Sequence, residues 1–516
     1  MGDVFLNRYL RKTYVLISVI LILSFLICSC NKYDYDWDEI ETGSHNAGVS
    51  VHDPSILKEN GKYYLFGSHM ATAISDDLSH WELIGDGYND TNIVYKGIFS
   101  NNTNIFKYAG SKNSVNPTDD GQYHVWAPDV IYNPTMRKYT MYVSISSTWN
   151  TSDIALMSSN SVEGPFVFES TVVYSGFNEK TVKDTDVLHF VSDEYAKKHY
   201  YPDSKNYNFK DYPNAIDPCI FFDEHNDMWL VYGSWSGGIF LLQIDQKTGL
   251  PIRDDLEKTK DTDPYFGKKI LGGKHASIEA PYIFYHPEEQ YYYLFVSYGK
   301  LNRDGGYQVR VFRSSSVDGE YVDMLGKRPI NEENIIPYGL KITGNYLIPS
   351  LNCAYMAPGH NSVLYDQDLG KTFIAFHTRF DNGSEYHQPR IHELIFNEEG
   401  WPVMSPYSVT LNEEKSSSSI VSNDLSKTFF QVDLGIGINN AISKPKLVRF
   451  RRNGTVEGED YLAEWSYLAD TDSVILKTEN GEVFRGRPLL LNDEANNEHV
   501  CIALVGNNRT LWLISR

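Results

Sequence analysis

The chain has 516 residues, and its 67 aspartates and glutamates against 46 lysines and arginines give a formal net charge of −21 at pH 7. This charge repels phosphate backbones and polyuronates, so it disfavours nucleic acid and acidic polysaccharides as partners and leaves neutral polymers open. Beyond the N-terminal segment, the cysteines at positions 219, 353 and 501 are too few and too far apart for a disulfide framework or a zinc knuckle.

The N-terminal segment predicts export. Positive residues precede an apolar run from Val15 to Ile27, which is too short to span a bilayer stably and ends beside Ser29 and Cys30. This arrangement resembles a bacterial lipoprotein cleavage site, with Cys30 as the acylated N-terminus; an ordinary secretory signal or a short membrane anchor is the alternative. We expect a lipoprotein signal segment over residues 1–30 and a flexible acidic tether over residues 31–48. Such a lipoprotein lies at the cell surface or at the periplasmic face of a bacterial outer membrane.

One pattern then occurs five times: a carboxylate or alanine, a proline, an apolar strand, a turn and an aromatic-rich second strand. The prolines of the five copies are Pro54, Pro128, Pro218, Pro281 and Pro358. The runs are short, rich in β-branched and aromatic residues, and bounded by turn residues, which is typical of strands and hairpins. We predict an all-β fold, with a five-bladed β-propeller over residues 49–405; an irregular β-sandwich is the alternative.

Three segments lie outside the repeat. The pattern stops after Pro402, and a serine run at 416–419 precedes short apolar strands, so we predict a small C-terminal β-barrel domain over residues 420–516. Two inserts interrupt the propeller at 101–123 and 192–213, and the second is rich in tyrosine. Loops of this length on a rigid scaffold often carry function.

Three acidic residues stand at or beside the start of the repeat, namely Asp53, Asp217 and Glu279, whereas Ala127 and Ala357 take that point in the other two copies. A single Asp-Pro pair is more often a turn device. In a propeller, however, equivalent points lie at one level around one axis, so the three carboxylates are expected to converge. Their mutual repulsion raises at least one pKa, as a general acid at neutral pH requires.

This set of acids suits glycoside hydrolysis. The reaction needs one carboxyl group that protonates the leaving oxygen and another that activates water or attacks. Glu279 lies one position earlier in its repeat than the aspartates and has a longer side chain, so we predict that it is the general acid. Asp53 is then the general base, and Asp217 tunes the pKa of its neighbour and orients it.

Five motifs carry a family resemblance: His52 to Ser55, Asn214 to Pro218, Tyr232 to Ile239, Ile278 to Tyr282 and Ala357 to Ser362. Together they resemble the endo-α-1,5-L-arabinanases of glycoside hydrolase family 43, and the match runs through all five copies. The resemblance implies a five-bladed propeller, single-displacement inversion at the anomeric carbon and the three roles given above. The predicted barrel resembles the C-terminal domain of the two-domain members.

The resemblance also implies a calcium ion, held by His360 and otherwise largely hydrated. The residues alone favour a simple turn histidine there. Trp126 and Trp235 are candidates for stacking on sugar faces, although a tryptophan in a β-protein is as often packed in the core. Asn214 and Ser234 are candidate hydrogen-bond partners for sugar hydroxyls.

The sequence thus predicts a monomeric, endo-acting and inverting hydrolase of arabinan and arabino-oligosaccharides. An exo-acting arabinofuranosidase or xylosidase on the same fold would have the same three acids and different loops. A non-catalytic glycan-binding propeller lipoprotein is the alternative from another class, but it would be expected to repeat its binding groups in every blade. The sucrose-cleaving propeller families use similar acids, yet their fuller Asn-Asp-Pro-Asn-Gly type of opening is absent from this sequence.

Overall fold

The computed structural model describes residues 43, 46–96, 98, 104–254, 260–351, 353–409, 411, 425–459 and 461–516. The predicted signal segment with Cys30, most of the tether and the serine run lie outside these residues. In the part of the chain that is described, no helix has the length and hydropathy needed to cross a membrane. The cysteines at 219, 353 and 501 are free, as expected.

Strands dominate the described residues, and the first two copies of the repeat form four strands each. The first copy contains β1 (Ser55–Glu59), β2 (Lys62–Phe66), β3 (Thr72–Ser75) and β4 (Glu82–Gly85). The second copy contains β5 (Val125–Asn133), β6 (Lys138–Ser146), β7 (Ser152–Ser159) and β8 (Val167–Tyr174). Short 3₁₀ turns lie at Ser68–Met70, Asn104–Phe106 and Val182–Asp184, and two short helices follow, α1 (Val187–Phe190) and α2 (Asp193–His199).

The remaining copies are built in the same way. The third contains β9 (Cys219–Phe222), β10 (Met228–Tyr232), β11 (Ile239–Asp245), β12 (Leu250–Pro251), β13 (Thr262–Asp263) and β14 (Gly267–Leu271). The fourth contains β15 (Ile278–His286), β16 (Tyr291–Tyr298), β17 (Gln308–Ser314) and β18 (Leu340–Lys341). The fifth contains β19 (Tyr355–Asp366), β20 (Lys371–Phe380), β21 (His387–Phe396) and β22 (Pro402–Ser408).

Eight further strands follow. They are β23 (Thr428–Asp433), β24 (Lys446–Phe450), β25 (Thr455–Gly458), β26 (Leu462–Leu468), β27 (Ser473–Thr478), β28 (Val483–Asn492), β29 (Glu498–Gly506) and β30 (Arg509–Ser515). Each pairs with the next, and β30 pairs with β23, so these strands close into a barrel. The predicted C-terminal barrel is confirmed.

The sheets of the repeats are not five separate blades. The first, second, third and fifth copies form four separate sheets. The strands of the fourth copy belong instead to a twelve-stranded sheet, because β18 pairs in parallel with β30 where Lys341 meets Arg509. The count of five separate blades was therefore wrong for this chain: the fourth copy and the barrel share one sheet.

The first strands of the copies nevertheless form a ring. β1 packs against β5, β5 against β9, β9 against β15, β15 against β19, and β19 against β1. A buried aspartate joins three of these strands: Asp129 on β5 accepts a hydrogen bond from Ser55 Oγ at 2.6 Å and another from the backbone N–H of Ile220 at 2.7 Å. The arrangement is propeller-like, with the start of each repeat close to the centre of the ring.

Local chemistry explains the hairpins within the sheets. The predicted turn between β1 and β2 consists of Asn60 and Gly61, with φ of 52° and 76°, between the paired residues Glu59 and Lys62. Two positive φ values in a two-residue loop define the type I′ turn, which matches the twist of antiparallel strands and favours Asn-Gly.

The tyrosine-rich insert is largely structural. Tyr200, Tyr201 and Tyr207 are buried in the same apolar cluster as Phe266, and Tyr200 OH donates to Asp263 Oδ1 at 2.8 Å. These rings therefore attach the insert to the third sheet.

Candidate active site

The residue before each repeat proline has a left-handed backbone. These residues are Asp53 (φ 53°), Ala127 (44°), Asp217 (56°), Ala280 (54°) and Ala357 (49°). Residues with a Cβ rarely adopt this conformation, and such strain tends to cluster at functional sites. The five positions are thus equivalent in structure as well as in sequence. Glu279 directly precedes its left-handed residue, Ala280, which agrees with the predicted offset of the glutamate.

Asp53 is buried and held by three side chains. Its Oδ2 accepts a hydrogen bond from Ser68 Oγ at 2.5 Å and lies 2.7 Å from His52 Nδ1, while Oδ1 lies 3.0 Å from His360 Nδ1. Burial by itself would raise the pKa of Asp53, but His360 and His52 hold it well below its usual range. Asp53 is therefore ionised at neutral pH, the state that a general base needs.

His360 supplies positive charge to this pocket. Burial lowers its pKa, but the carboxylates of Asp53, Asp217 and Glu279 outweigh burial and raise the pKa to about 9. Its backbone N–H donates to Ser297 Oγ at 2.8 Å, which fixes the start of the strand segment that carries the ring.

The pKa of Glu279 is shifted in the opposite direction. Burial raises its pKa, and hydrogen bonds from Tyr307 and Ser234 only partly oppose that effect. Its Oε2 accepts hydrogen bonds from Ser234 Oγ at 3.0 Å and from Trp235 Nε1 at 2.7 Å. A buried carboxyl group with a raised pKa retains its proton at higher pH, as a general acid must.

Asp217 is connected to the acid through the backbone. Its Oδ2 accepts a hydrogen bond from the N–H of Ala280 at 3.1 Å, and its own N–H donates to Ser144 Oγ at 2.9 Å. Burial raises the pKa of Asp217 to about 7, with His360 opposing and the charge of Glu279 adding to the rise. Asp217 therefore interacts electrostatically with Glu279 and holds the residue beside it.

The predicted sugar-binding residues take different positions. Ser234 and Trp235 contact the acid, as described above. Trp126, next to Ala127, is half-buried and stacks on His124 with ring centroids 5.2 Å apart. Asn214 is buried, and its Nδ2 donates to the carbonyl oxygen of Trp149 at 2.6 Å, so its amide supports a loop.

Several residues of the site were missed in the sequence. Trp149, whose carbonyl oxygen accepts the hydrogen bond from Asn214, lies on the loop between β6 and β7 and is 91% exposed; a tryptophan within a polar turn was the available signal. Ser68 lies 15 residues from Asp53 in the sequence and His377 lies 324 residues away, yet Ser68 Oγ donates to Asp53 and His377 Nδ1 lies 3.3 Å from the backbone N of Asp53. No local pattern indicates such contacts. His52, by contrast, directly precedes Asp53 in the first motif.

Tyr307 was also missed, and a glycine explains its position. A Cβ on Gly359 would lie 2.3 Å from the ring of Tyr307, so only glycine lets the ring pack beneath β19 next to His360. Tyr307 in turn stacks on His377 with ring centroids 6.0 Å apart.

The site can be tested against the calcium ion that the resemblance implies. His360 Nδ1 faces Asp53, which leaves Nε2 as the nitrogen that could bind a cation. Calcium prefers about six to eight oxygen ligands, so one imidazole fits it only if water supplies most of the shell. The buried carboxylates around His360 supply the negative charge that a cation needs. The donor atoms of His52, Asp53 and His377 also lie within 4.8 Å of one another. The residues present therefore fit a hydrated cation when Nε2 of His360 has lost its proton.

A propeller-like ring that gathers three buried carboxyl groups, with the pKa of Asp53 lowered and those of Asp217 and Glu279 raised, has the paired acid and base that a glycoside hydrolase needs.

Comparison with known proteins gives the family. Residues 205–402 match the family model "Glycosyl hydrolases family 43". The chain is 33% identical to extracellular endo-alpha-(1->5)-L-arabinanase 2 of Bacillus subtilis over 80% of this chain and 81% of that protein. It is 34% identical to an extracellular endo-alpha-(1->5)-L-arabinanase of Thermotoga petrophila over 79% of this chain and 81% of that protein. The crystal structure of the family 43 YxiA protein from Bacillus licheniformis superposes with a TM-score of 0.77 at 32% identity, covering 92% of this chain and 99% of that one. The chain belongs to glycosyl hydrolase family 43.

Proposed function

We propose that the protein is an endo-acting glycosidase that cleaves α-1,5-L-arabinofuranosidic bonds in arabinan with inversion. The observation that carries this proposal is the convergence of three buried carboxyl groups in one pocket, with Asp53 against His360, Asp217 bonded to the backbone beside Glu279, and Glu279 held by Ser234 and Trp235. The pKa of Asp53 is lowered and that of Glu279 is raised, which agrees with a base and an acid. The substrate class is supported by relatives of 33% and 34% identity that are named endo-arabinanases.

The roles follow from the directions of the two pKa shifts. Glu279, protonated and oriented by Ser234 and Trp235, gives its proton to the leaving oxygen of the glycosidic bond. Asp53, ionised, accepts a proton from the water that attacks the anomeric carbon from the opposite face. Asp217, whose own pKa is raised by burial and in part by the charge of Glu279, is the proposed modulator of the acid, and its Oδ2 holds the backbone N–H of Ala280 beside the acid.

The proposal also covers the scaffold and the location of the protein. The closed ring of first strands supports the view that β15–β18 act as the fifth blade of a propeller over residues 49–405, with the barrel as a domain over residues 420–516. Both relatives are named extracellular, which supports export. Attachment through a lipid on Cys30 and a monomeric state complete the proposal.

Product analysis tests the function directly. Debranched arabinan is incubated with the protein, and the earliest products are sized. Mixed oligomers are expected from endo action, whereas a single small product from the first minutes would favour the exo-acting alternative. If no reducing sugar forms, the protein is a glycan-binding propeller and the proposal fails.

Asp217→Asn is expected to lower kcat/KM and to move its alkaline limb to lower pH. Glu279 acts in its protonated form, so the rate falls as pH rises through its pKa. Removing a neighbouring negative charge makes ionisation of Glu279 easier and therefore lowers that pKa. The measurement is kcat/KM on linear arabinan as a function of pH.

The matched control is Asp129→Asn. Asp129 is also buried, and burial raises its pKa to about 6, but it bonds to Ser55 and Ile220 between strands. This variant is expected to unfold at a lower temperature. The alkaline limb of its kcat/KM profile should stay at the wild-type pH. An alkaline limb that stays unchanged in Asp217→Asn would make Asp217 only a turn residue.

For the metal, we propose that calcium binds at His360 Nε2 and keeps most of its water. When bound, the ion supplies positive charge among the three carboxyl groups and so helps to hold Asp53 ionised. His360 must then be unprotonated at Nε2, and the ion replaces the charge of the imidazolium.

Chelation is accordingly expected to lower the rate without unfolding the protein. Hydrolysis of linear arabinan is measured for the wild type and His360→Ala, before and after EDTA and with calcium added back, alongside thermal unfolding. The wild type should lose activity on chelation and regain it with calcium, whereas His360→Ala should be slow throughout. Full activity in both the chelated wild type and His360→Ala would show that the proposed calcium site is wrong.

A further inference from the structure

A large cavity lies in the barrel, away from the three acids. Its volume is about 810 Å³, and its lining residues come from six barrel strands and the loops between them. None of the active-site residues described above lines it. Small closed barrels are just wide enough either to be filled by side chains or to hold one small ligand, and binding sites often lie at barrel mouths.

The alternation of side chains places this cavity inside the barrel. On β23, Phe430 and Val432 pack against the propeller, whereas Phe429 belongs to the barrel core. Since alternate residues of a strand face the same side, Gln431 shares the inner side with Phe429. On β30, Arg509 likewise faces the same side of the strand as the core residue Leu511. One end of the barrel is thus filled with apolar side chains, and the other is polar and open.

The charged groups at the base of the cavity are already paired. Arg509 makes two hydrogen bonds to the carboxylate of Glu482, at 3.1 and 2.8 Å, and its Nε lies 3.4 Å from Asp433 Oδ1. At the rim, Lys444 and Glu479 contribute both signs of charge. A strongly charged ligand would therefore gain little from this cavity, and it would have to displace an existing ion pair.

Two neutral groups in the lining have unmet hydrogen-bonding capacity. Gln431 is only 9% exposed, and its Oε1 has no hydrogen-bond partner among the described residues. Tyr461 OH, on the same inner side as the core residue Trp465, also has none there. A buried polar atom without a partner is unfavourable, so each calls for a group that donates or accepts a hydrogen bond. Sugar hydroxyls do both and carry no charge.

We propose that this cavity is a second, non-catalytic binding site for a neutral carbohydrate. One sugar unit enters the barrel mouth, with a hydroxyl donating to Gln431 Oε1 and another bonded to Tyr461 OH. The identity of the sugar as arabinofuranose rests on the function proposed above.

The position of the site suits a polymer that also reaches the acids. In the shared sheet, Glu279 pairs with Ser297, Ser297 with Val309, and the neighbouring Arg310 with Lys341, which pairs with Arg509. The catalytic acid and the base of the cavity therefore lie nearly opposite each other in one ladder, roughly 20 Å apart at the usual spacing of strands. A chain held at the barrel raises the local concentration of substrate at the acids.

The test counts binding sites with a ligand too short to span both. Arabinotriose is titrated calorimetrically into the full chain carrying Glu279→Gln, which slows hydrolysis. Two sites per chain are expected. Adding Tyr461→Phe should weaken one of them about two- to tenfold, the usual effect of one hydrogen bond, and adding Gln431→Leu should weaken it about tenfold or more.

The control is Glu464→Gln, an exposed residue of β26 between the inward-facing Ala463 and Trp465. It should bind like its parent, and thermal unfolding confirms that each variant is folded. In the otherwise wild-type chain, the two cavity variants should raise KM for long arabinan and leave turnover of arabinotriose unchanged.

The outcomes separate the two proposals. If both cavity variants bind arabinotriose as their parent does, the second site is wrong even when arabinan is cut normally. If the wild type leaves arabinan uncut but Gln431→Leu still removes a binding site, the proposed function fails and the cavity site stands.

Discussion

Asp53→Asn is expected to lower kcat on linear arabinan by about 10²- to 10⁴-fold or more, the usual contribution of a general base. Asparagine has the size of aspartate and can still accept a hydrogen bond from Ser68, but it cannot take a proton from water. The pocket would also lose the charge that pairs with His360 and His52.

The wild-type pH profile gives an independent check on Asp53. A base acts when ionised, so activity is lost as pH falls through its pKa, which His360 and His52 hold well below the usual range. The acidic limb of kcat/KM should therefore lie below the usual range of an aspartate and be absent in Asp53→Asn. As a control for an aspartate in an ion pair, Asp366→Asn, which loses the contact with Lys58, should change stability rather than kcat. Turnover near the wild-type value in Asp53→Asn would contradict the assignment.

Glu279→Gln is expected to reduce kcat by a similar factor, about 10²- to 10⁴-fold, because glutamine cannot donate the proton that the leaving oxygen needs. Its amide oxygen can still accept the hydrogen bonds from Ser234 and Trp235, so the local structure should persist. Kinetics on linear arabinan and circular dichroism of both proteins test these two expectations.

The chemistry of the leaving group distinguishes the acid from the base. An aryl glycoside of an arabino-oligosaccharide has a leaving group that departs with little protonation. Glu279→Gln should therefore lose much less activity on that substrate than on arabinan, whereas Asp53→Asn should lose activity on both. Equal losses of Glu279→Gln on the two substrates would mean that Glu279 does not protonate the leaving oxygen.

Much of the fold was predictable because its signals are local and repeated. The proline-led strands, the Asn60-Gly61 turn and the change of pattern after Pro402 each reflect backbone preferences over a few residues. The union of the fourth sheet with the barrel was not predictable. It depends on β18, a strand of two residues, and on its pairing with Arg509 at the far end of the chain.

The residues of the candidate site were likewise predictable only in part. Asp53, Asp217 and Glu279 were found because a repeat places equivalent residues at one level, so position along the sequence stands in for position in space. Ser68, on a 3₁₀ turn, and His377, on β20, reach Asp53 from other parts of the chain, and only folding brings them together. Ser234 and Trp235 were predicted to bind the sugar, yet in the structure their side chains donate hydrogen bonds to Glu279.

The pairing of β18 with β30 has a consequence for how the chain can be divided. The outer strand of an open sheet has unpaired N–H and C=O groups that can recruit another molecule, and proteins usually shorten or cover such edges. Here β30 covers the edge of the sheet that contains Glu279, and the barrel apolar side chains Phe430 and Trp512 pack in a cluster with Trp401 of the propeller. The barrel thus pairs with an edge that, left open, could recruit another copy of the chain. A protein truncated after the last propeller strand would keep the three acids but would leave the edge strand β18 without its partner β30.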